Sequence, residues 1–191
     1  MSPKQVLSVA EKLYSSGFIS YPRTETTRYD PNGFDTRAYL REHSSNPNWG
    51  KSAQYLLRSK KDGKPPKRGM DKGDHPPITP LKSASREAVG GGAVWRVYDF
   101  VCRNFIGSLH NPLEFTKTVA LMSVPGSGEE FELELVTVDS LGFADVCRWV
   151  LHDIGATSGR SDFCLKEGDS YEVTKARFEE RKTRPPAFLQ E

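Results

Sequence analysis

GFISYPRTET, residues 17–26, is the stretch from which the fold and chemistry of the chain are best predicted. Proline disfavours the helical conformation for the residue before it, so Tyr21, which precedes Pro22, is predicted to end an extended segment. If that segment stays extended, Arg23 lies on the same side as Tyr21, because side chains alternate with a period of two. A phenol beside a guanidinium suits attack on a phosphodiester: the arginine can bind the phosphate oxygens while the phenolate attacks phosphorus.

A structural role for the same tyrosine has to be weighed beside the catalytic one. A tyrosine that follows an aromatic and aliphatic run, here Phe18 and Ile19, is often a half-buried strand residue whose hydroxyl is hydrogen-bonded. The spacing of Tyr21 and Arg23 alone therefore leaves both interpretations open.

Composition and cysteine content predict a soluble intracellular protein. Of the 191 residues 36% are hydrophobic, and no apolar run approaches the ~20 residues that span a bilayer. Residues 1–13 are typical of an amphipathic helix and not of a signal peptide. The three cysteines, Cys102, Cys147 and Cys164, are odd in number and far apart, which predicts a reducing compartment and neither a zinc site nor a disulfide framework.

The small net charge of +2 conceals two halves of opposite sign. Residues 1–111 carry 18 Lys and Arg against 10 Asp and Glu, whereas residues 112–191 carry 9 against 15. Eight basic residues and two acidic ones fall between Lys51 and Lys72. Such clustering is typical of a face that binds a polyanion, although a solvated lysine-rich loop would have the same composition.

Hydrophobic periodicity predicts a mainly helical first half, residues 1–111. A first helix is capped by Ser2 and Pro3 and stopped by Gly17. Further helices are predicted over residues 34–42, 51–58 and 93–109, the last with the strongest periodicity in the chain. The order of helix, glycine and short extended segment is compatible with a winged-helix or CAP-like subdomain.

Residues 112–191 predict antiparallel β structure. Residues 115–124 and 130–138 alternate with a period of two and are joined by Pro125-Gly126-Ser127-Gly128, which indicates a β-hairpin. Another extended run covers residues 170–178. The glutamates at positions 130, 132 and 134 indicate a solvated sheet face and not a metal site. A helical first half followed by antiparallel strands predicts the α+β fold class.

A second run, GDHPPITP at residues 73–80, places His75 in a proline-rich loop. A lone histidine there is most often a surface residue without a role. The prolines after it restrict the backbone, which is consistent with presenting the side chain in one place.

The two runs together resemble the active-site motifs of type IA DNA topoisomerases, and most closely topoisomerase III of the eukaryotic beta type. In that family the tyrosine of a Ser-Tyr-Pro-Arg-Thr-Glu-Thr run is the nucleophile, and residues 20–26 match it without a departure. The match of residues 73–80 assigns His75 to the scissile phosphate. Residues 182–189, KTRPPAFL, are similar to the Pro-Pro turn that follows the family's β domain. The resemblance covers essentially all 191 residues.

The resemblance implies an isomerase that cleaves one strand of nucleic acid transiently. Tyr21 would form a 5′-phosphotyrosyl link, with Arg23 and His75 supporting the phosphate. A second strand would pass through the gap before the free 3′-hydroxyl reseals it. Residues 112–191 would belong to the β arch around the enzyme's central hole, and the chain would be an internal fragment of a larger protein.

Several further expectations follow from the resemblance alone. Mg²⁺ would be bound by an acidic domain absent from this chain, so no metal ligand is assigned here and the chain alone is not expected to relax supercoiled DNA. Its partners would be single-stranded DNA, with RNA left open, and the remaining domains of the parent. A eukaryotic source implies a nuclear or cytoplasmic location, without a membrane.

Two other classes of protein remain alternatives. In a noncatalytic nucleic-acid-binding module, Tyr21 would stack on a base instead of attacking a phosphate. Other enzymes that use a tyrosine on DNA fit poorly. Relaxases need clustered histidines, whereas His43, His75, His110 and His152 are scattered along the sequence. Tyrosine recombinases carry their tyrosine far from their arginines.

Overall fold

Helices build the first half of the structure and a β-hairpin follows them. The structure is a computed structural model that describes residues 1–30, 33–59, 62–66, 68–156, 166–175, 177 and 180. In this part of the chain the α-helices are α1 (Pro3–Ser15), α2 (Thr36–His43), α3 (Gly50–Arg58), α4 (Gly92–Ser108) and α5 (Trp149–Asp153). The strands are β1 (Glu114–Ser123) and β2 (Glu130–Ser140). The predicted α+β class is confirmed.

The first helix begins and ends where its sequence signals predict. The Ser2 hydroxyl accepts a hydrogen bond from the backbone N–H of Gln5 (3.3 Å), and the Gln5 side chain accepts one from the Ser2 N–H (2.9 Å). These two bonds form a capping box, which satisfies donors that the first turn leaves free. Gly17 follows the helix at φ 71°, a left-handed conformation that favours glycine.

The longest helix, α4, contributes more buried side chains to the hydrophobic core than any other described helix, as its periodicity predicts. Its buried face contains Val97, Tyr98, Cys102, Phe105 and Ile106. The other elements add buried side chains to the same cluster, among them Leu13 of α1, Ile19, Leu40 of α2, Trp49 and Leu56 of α3. The extended segment before Tyr21 is therefore anchored in this core by Ile19, which is completely buried.

The hairpin is antiparallel, and its strands have nearly the predicted bounds. Its register places Ala120 opposite Leu133 and Met122 opposite Phe131. Most of its side chains are exposed, including Leu121 and Phe131. The predicted glutamate row is also exposed, and its member Glu134 forms an ion pair with Lys117.

After the hairpin the chain returns to the helical core. A short 3₁₀ helix, Gly142–Asp145, is attached to the segment before β1 by a hydrogen bond from the Phe143 N–H to the Asn111 carbonyl (2.9 Å). A Cβ at Gly107 of α4 would lie 2.7 Å from the Cys147 sulfur, so this close approach requires a glycine. Residues on both sides of position 111 thus share one core.

The chain divides into two compact units, Met1–Arg160 and Ser161–Glu191. In the second unit, residues 166–175 form no helix or strand, so the run predicted at 170–178 is not a strand in its described part. Residues 182–189 and Cys164 lie outside the described residues. The boundary at 111 and the winged-helix description stay predictions. In the described part, no helix combines the length and apolar character needed to cross a membrane.

Candidate active site

The two motifs predicted from the sequence lie side by side. The Ser20 N–H donates to the Thr79 carbonyl (2.9 Å) and the Leu81 N–H to the Phe18 carbonyl (2.8 Å). Ile19 forms a β-bridge with Pro80 between these bonds. The irregular segment that carries Tyr21 is therefore paired with the segment that carries His75, although about fifty residues separate them in the sequence.

Tyr21 and His75 are in contact. Their ring centroids lie 4.4 Å apart at an interplanar angle of 57°. Tyr21 also makes a T-shaped contact with Tyr14 of α1, with the ring centroids 5.3 Å apart. Tyr21 is half-buried, whereas Tyr14 and His75 are exposed, so the phenol belongs to a cluster of three rings that is open to solvent.

Arg23 is exposed and its guanidinium binds a carboxylate of α1. The Nε donates to Oε1 of Glu11 (3.0 Å), and Nη2 contacts the same oxygen. The hydrogen bond and charge of Glu11 raise the pKa of Arg23, against a small opposing effect of burial, and the Tyr21 phenol adds to the rise. Arg23 is therefore a permanent cation within electrostatic reach of Tyr21.

Asp74 ties the two segments together. It accepts a hydrogen bond from the Glu25 N–H (2.8 Å) and another from the hydroxyl of Thr26. The Thr24 hydroxyl lies 3.2 Å from Asp74 Oδ1 and also contacts the His75 carbonyl. The Thr26 hydroxyl and the Glu25 N–H hold the pKa of Asp74 below its usual value, so this carboxylate is ionised at neutral pH.

The lysine-rich segment joins the same network at its end. The Thr27 N–H donates to the Met70 carbonyl (2.9 Å), and the Lys72 N–H donates to the Thr26 hydroxyl (3.1 Å). A Cβ at Gly69 would lie 2.7 Å from the Thr27 carbonyl oxygen, which explains the glycine at this close approach. The end of the basic segment is thus hydrogen-bonded to the segment that carries Tyr21.

A buried histidine, His43, is hydrogen-bonded to the segment that carries His75. His43 is completely buried; its Nδ1 accepts from the Trp49 indole N–H (3.1 Å), and its Nε2 lies 3.3 Å from the Pro80 carbonyl. This pattern requires a neutral ring with its proton on Nε2. Burial lowers the pKa of His43, which favours that neutral form. His43 therefore anchors the segment around Pro80, which pairs with Ile19 through an isolated β-bridge.

A profile of the protein family described as DNA topoisomerase matches residues 1–191. The chain belongs to the DNA topoisomerase family. The predicted resemblance to type IA topoisomerases of the III beta kind is confirmed by this match and by the relatives.

These relatives are topoisomerases from plants and animals. The chain is 38% identical over 191 residues to DNA topoisomerase 3-beta of Oryza sativa subsp. japonica and 36% identical over 191 residues to DNA topoisomerase 3-beta-1 of Homo sapiens; each alignment covers 100% of this chain and 21% of the relative. It is 39% identical over 190 residues to DNA topoisomerase 3-beta of Arabidopsis thaliana, covering 99% of this chain and 21% of that protein. The chain thus spans about a fifth of the length of the curated relatives it matches.

The magnesium ion that the family implies does not fit the described residues of this topoisomerase segment. They contain no group of three or more His, Cys, Asp or Glu that could hold a metal ion. The carboxylates that touch the motif are engaged, Glu11 by Arg23 and Asp74 by Glu25 and Thr26. We therefore assign the ion no ligand in this part of the chain.

The structure brings two of the three residues singled out in the topoisomerase sequence into contact, binds the third, Arg23, to Glu11, and adds others. Tyr21 and His75 touch, and Arg23 lies two positions from Tyr21. Glu11, Asp74 and His43 carry contacts that reasoning from the sequence did not assign. Asp74 could have been suspected as the neighbour of His75, whereas nothing in the spacing of Glu11 or His43 points to the site.

Proposed function

We propose that this chain supplies the nucleophile of a type IA topoisomerase, an isomerase that cleaves and reseals single-stranded DNA through a 5′-phosphotyrosyl intermediate on Tyr21. The contact between the Tyr21 and His75 rings, 4.4 Å between centroids, is the observation that carries the proposal. It joins two motifs far apart in sequence at one solvent-open position. Family membership then supplies the class of chemistry.

In the proposed step the Tyr21 hydroxyl oxygen attacks phosphorus and forms a new P–O bond. The bond from phosphorus to the 3′ oxygen breaks, and that oxygen takes the electron pair and a proton to leave as a 3′-hydroxyl. Arg23 and His75 stabilise the charge that develops on the phosphate oxygens. Reversal needs no outside energy, because the phosphotyrosine conserves the energy of the original ester.

The phenolic proton must also leave, since a neutral phenol is a weak nucleophile. The Asp74 carboxylate is held by Thr26 and Glu25, and the Glu11 carboxylate by Arg23. Proton removal and Mg²⁺ binding are therefore assigned to an acidic domain outside this chain, as the resemblance implies. It follows that the 191-residue chain alone does not relax supercoiled DNA.

A second candidate function is favoured by this cluster of three rings. Tyr14, Tyr21 and His75 follow one another with centroids 5.3 Å and 4.4 Å apart and could stack unpaired bases. A noncatalytic module of this kind would bind the same strand without forming a bond to it. RNA offers the same stacking faces and phosphates, so both candidates extend to it. A nuclear or cytoplasmic location suits either one.

Covalent capture separates the two candidates. Residues 1–191 would replace the matching fifth of human DNA topoisomerase 3-beta-1, and the chimera would be incubated with Mg²⁺ and single-stranded DNA labelled at its 3′ end. After denaturation we expect label on the protein, because a 5′-phosphotyrosyl link retains the 3′ side of the cut. The same DNA labelled at its 5′ end should give only a free shortened strand.

Tyr21→Phe should abolish capture and leave binding of the strand intact, because it removes the attacking oxygen and keeps the ring. Tyr55→Phe is the matched control, since Tyr55 is an exposed tyrosine outside both motifs. Binding without capture in the unmodified chimera would establish the stacking module instead. Relaxation of a plasmid by the 191-residue chain with Mg²⁺ would contradict the assignment of the remaining chemistry to another domain.

A further inference from the structure

Arg23 already has an anionic partner in the protein. Two of its donors, Nε and Nη2, meet one oxygen of Glu11. Both side chains remain accessible, Arg23 57% and Glu11 44% exposed. When a phosphate approaches Tyr21, two of the N–H donors of Arg23 are therefore already bonded to Glu11.

The carboxylate stands where a phosphate oxygen would bind. A guanidinium recognises carboxylates and phosphates with the same planar fork of N–H donors, so the two anions compete for it. Exposed ion pairs contribute little net stability. The phosphodiester can therefore displace Glu11 without a large penalty, and Glu11 must lower the affinity of the site for the strand.

The helix that carries Glu11 also contacts the proposed nucleophile. Glu11 and Tyr14 are three positions apart on α1, which places them on the same helical face. Tyr14 packs its ring against Tyr21 with the centroids 5.3 Å apart. The ring contact does not involve Glu11, so Tyr21 keeps its neighbour on α1 when the ion pair opens.

We propose that Glu11 is a resident counter-ion of Arg23 that the substrate phosphate displaces, and that it thereby sets how tightly the site holds a single strand. Glu11 is a positioning residue in this scheme. Its carboxylate holds the Arg23 guanidinium in place before the substrate arrives, and it binds the guanidinium again when the strand leaves. The inference rests on the proposed function in requiring a phosphate at Arg23.

Binding of a fluorescent single-stranded DNA to the 191-residue chain tests the inference. Tyr21→Phe would be present throughout, so that no covalent step contributes. Glu11→Gln removes the charge and keeps the size and hydrogen-bonding capacity of the side chain. We expect binding about two- to five-fold tighter at low salt, the size of one exposed ion pair, with an unchanged melting temperature.

Two further variants show whether Glu11 acts through Arg23. Glu129→Gln makes the same charge change at the exposed hairpin turn and should leave the affinity unchanged. In an Arg23→Gln background the gain from Glu11→Gln should vanish, because the competing donor is gone. Equal gains from Glu11→Gln and Glu129→Gln, a gain that persists without Arg23, or weaker binding would each overturn the inference.

The outcome is independent of the capture experiment. A chimera that fails to capture DNA would refute the nucleophile, yet the affinity change on Glu11→Gln would still show that a phosphate reaches Arg23. Conversely, capture by Tyr21 with no effect of Glu11→Gln on binding would leave the proposed function standing and remove the counter-ion.

Discussion

The tyrosine segment, residues 18–27, and the β-hairpin differ in what stabilises them: buried side chains in the first and backbone hydrogen bonds in the second. Residues 18–27 have almost no regular secondary structure, yet Ile19 and Thr26 within them are buried. The hairpin has a ladder that is regular except at Glu114 and Phe115, yet Leu121 and Phe131 are exposed. A complete ladder of backbone hydrogen bonds therefore says little about how firmly a segment is anchored, because an isolated two-stranded hairpin is marginal and buried side chains supply the stability.

The largest difference between the two regions should appear when an apolar side chain is shortened in each. Ile19→Ala removes a completely buried side chain from the core cluster that also contains Leu13 and Tyr98, and we expect the free energy of unfolding to fall by about 2–5 kcal/mol. Leu121→Ala, at a position 74% exposed, should change it by less than about 0.5 kcal/mol. Urea denaturation of both variants measures the contrast, and similar losses would show that the hairpin is anchored as strongly as the site.

A smaller effect is expected where a carboxylate ties loops together. Asp74→Asn weakens the bonds to the Thr26 hydroxyl and the Glu25 N–H, so the Tyr21 segment loses its fixed position. Capture by the chimera should fall by up to about 10²-fold, since displacement of a reacting group by an ångström has that effect. Asp139→Asn is the control, because Asp139 accepts a bond from the Thr116 hydroxyl (2.8 Å) within the hairpin.

Stability and strand binding separate a positioning role of Asp74 from a purely structural one. The melting temperature and the affinity for single-stranded DNA should stay close to those of the unmodified protein while capture falls. Equal effects of the Asp74 and Asp139 variants on capture would show that the site does not depend on this particular tie.

The smallest effect concerns acid. Because the pKa of His43 is lowered in the folded protein, the unfolded chain binds its proton more readily. The stability from neutral His43 is complete above about pH 6.5 and is lost as the pH falls from there toward the lowered pKa. Burial also lowers the pKa of His110, so that residue adds a loss of the same sign.

Urea denaturation at about pH 7.5 and about pH 5.5 tests this dependence. His43→Gln should be less stable at the higher pH and should lose less on acidification. His152→Gln, at an exposed position, should behave like the unmodified protein. An acid response that His43→Gln leaves unchanged would assign the effect to other groups.

The same contrast explains how far the sequence predicts the structure. The bounds of α1, α4 and the hairpin follow from local signals: a Ser2 cap, helical spacing of apolar residues, and alternation around a glycine-rich turn. The proposed site residues Tyr21, Arg23 and His75 come from motif resemblance. The hydrogen-bond partners of these residues could not be predicted from the sequence. The partners of Arg23 and Asp74 are determined by tertiary packing, and a single polar residue produces no periodic pattern in the sequence.

Two parts of the fold were beyond those signals for identifiable reasons. The packing of Phe143 and Cys147 against α4 depends on their close approach to Gly107. No local pattern in residues 141–154 predicts this contact. The bonds of His43 to Trp49 and Pro80 join three elements, so neither the helical pattern of α2 nor the prolines after His75 predicts them.

The pairing of residues 18–27 with residues 70–81 also has a consequence for the order of folding. Contacts between segments about fifty residues apart form late, because the intervening chain must be closed into a loop first. The hairpin, with its short turn, needs no such closure. During synthesis the phenol of Tyr21 therefore stays without His75 and Asp74 until more than fifty further residues have emerged from the ribosome. The newly made chain therefore carries its proposed nucleophile before the residues proposed to support it have been made.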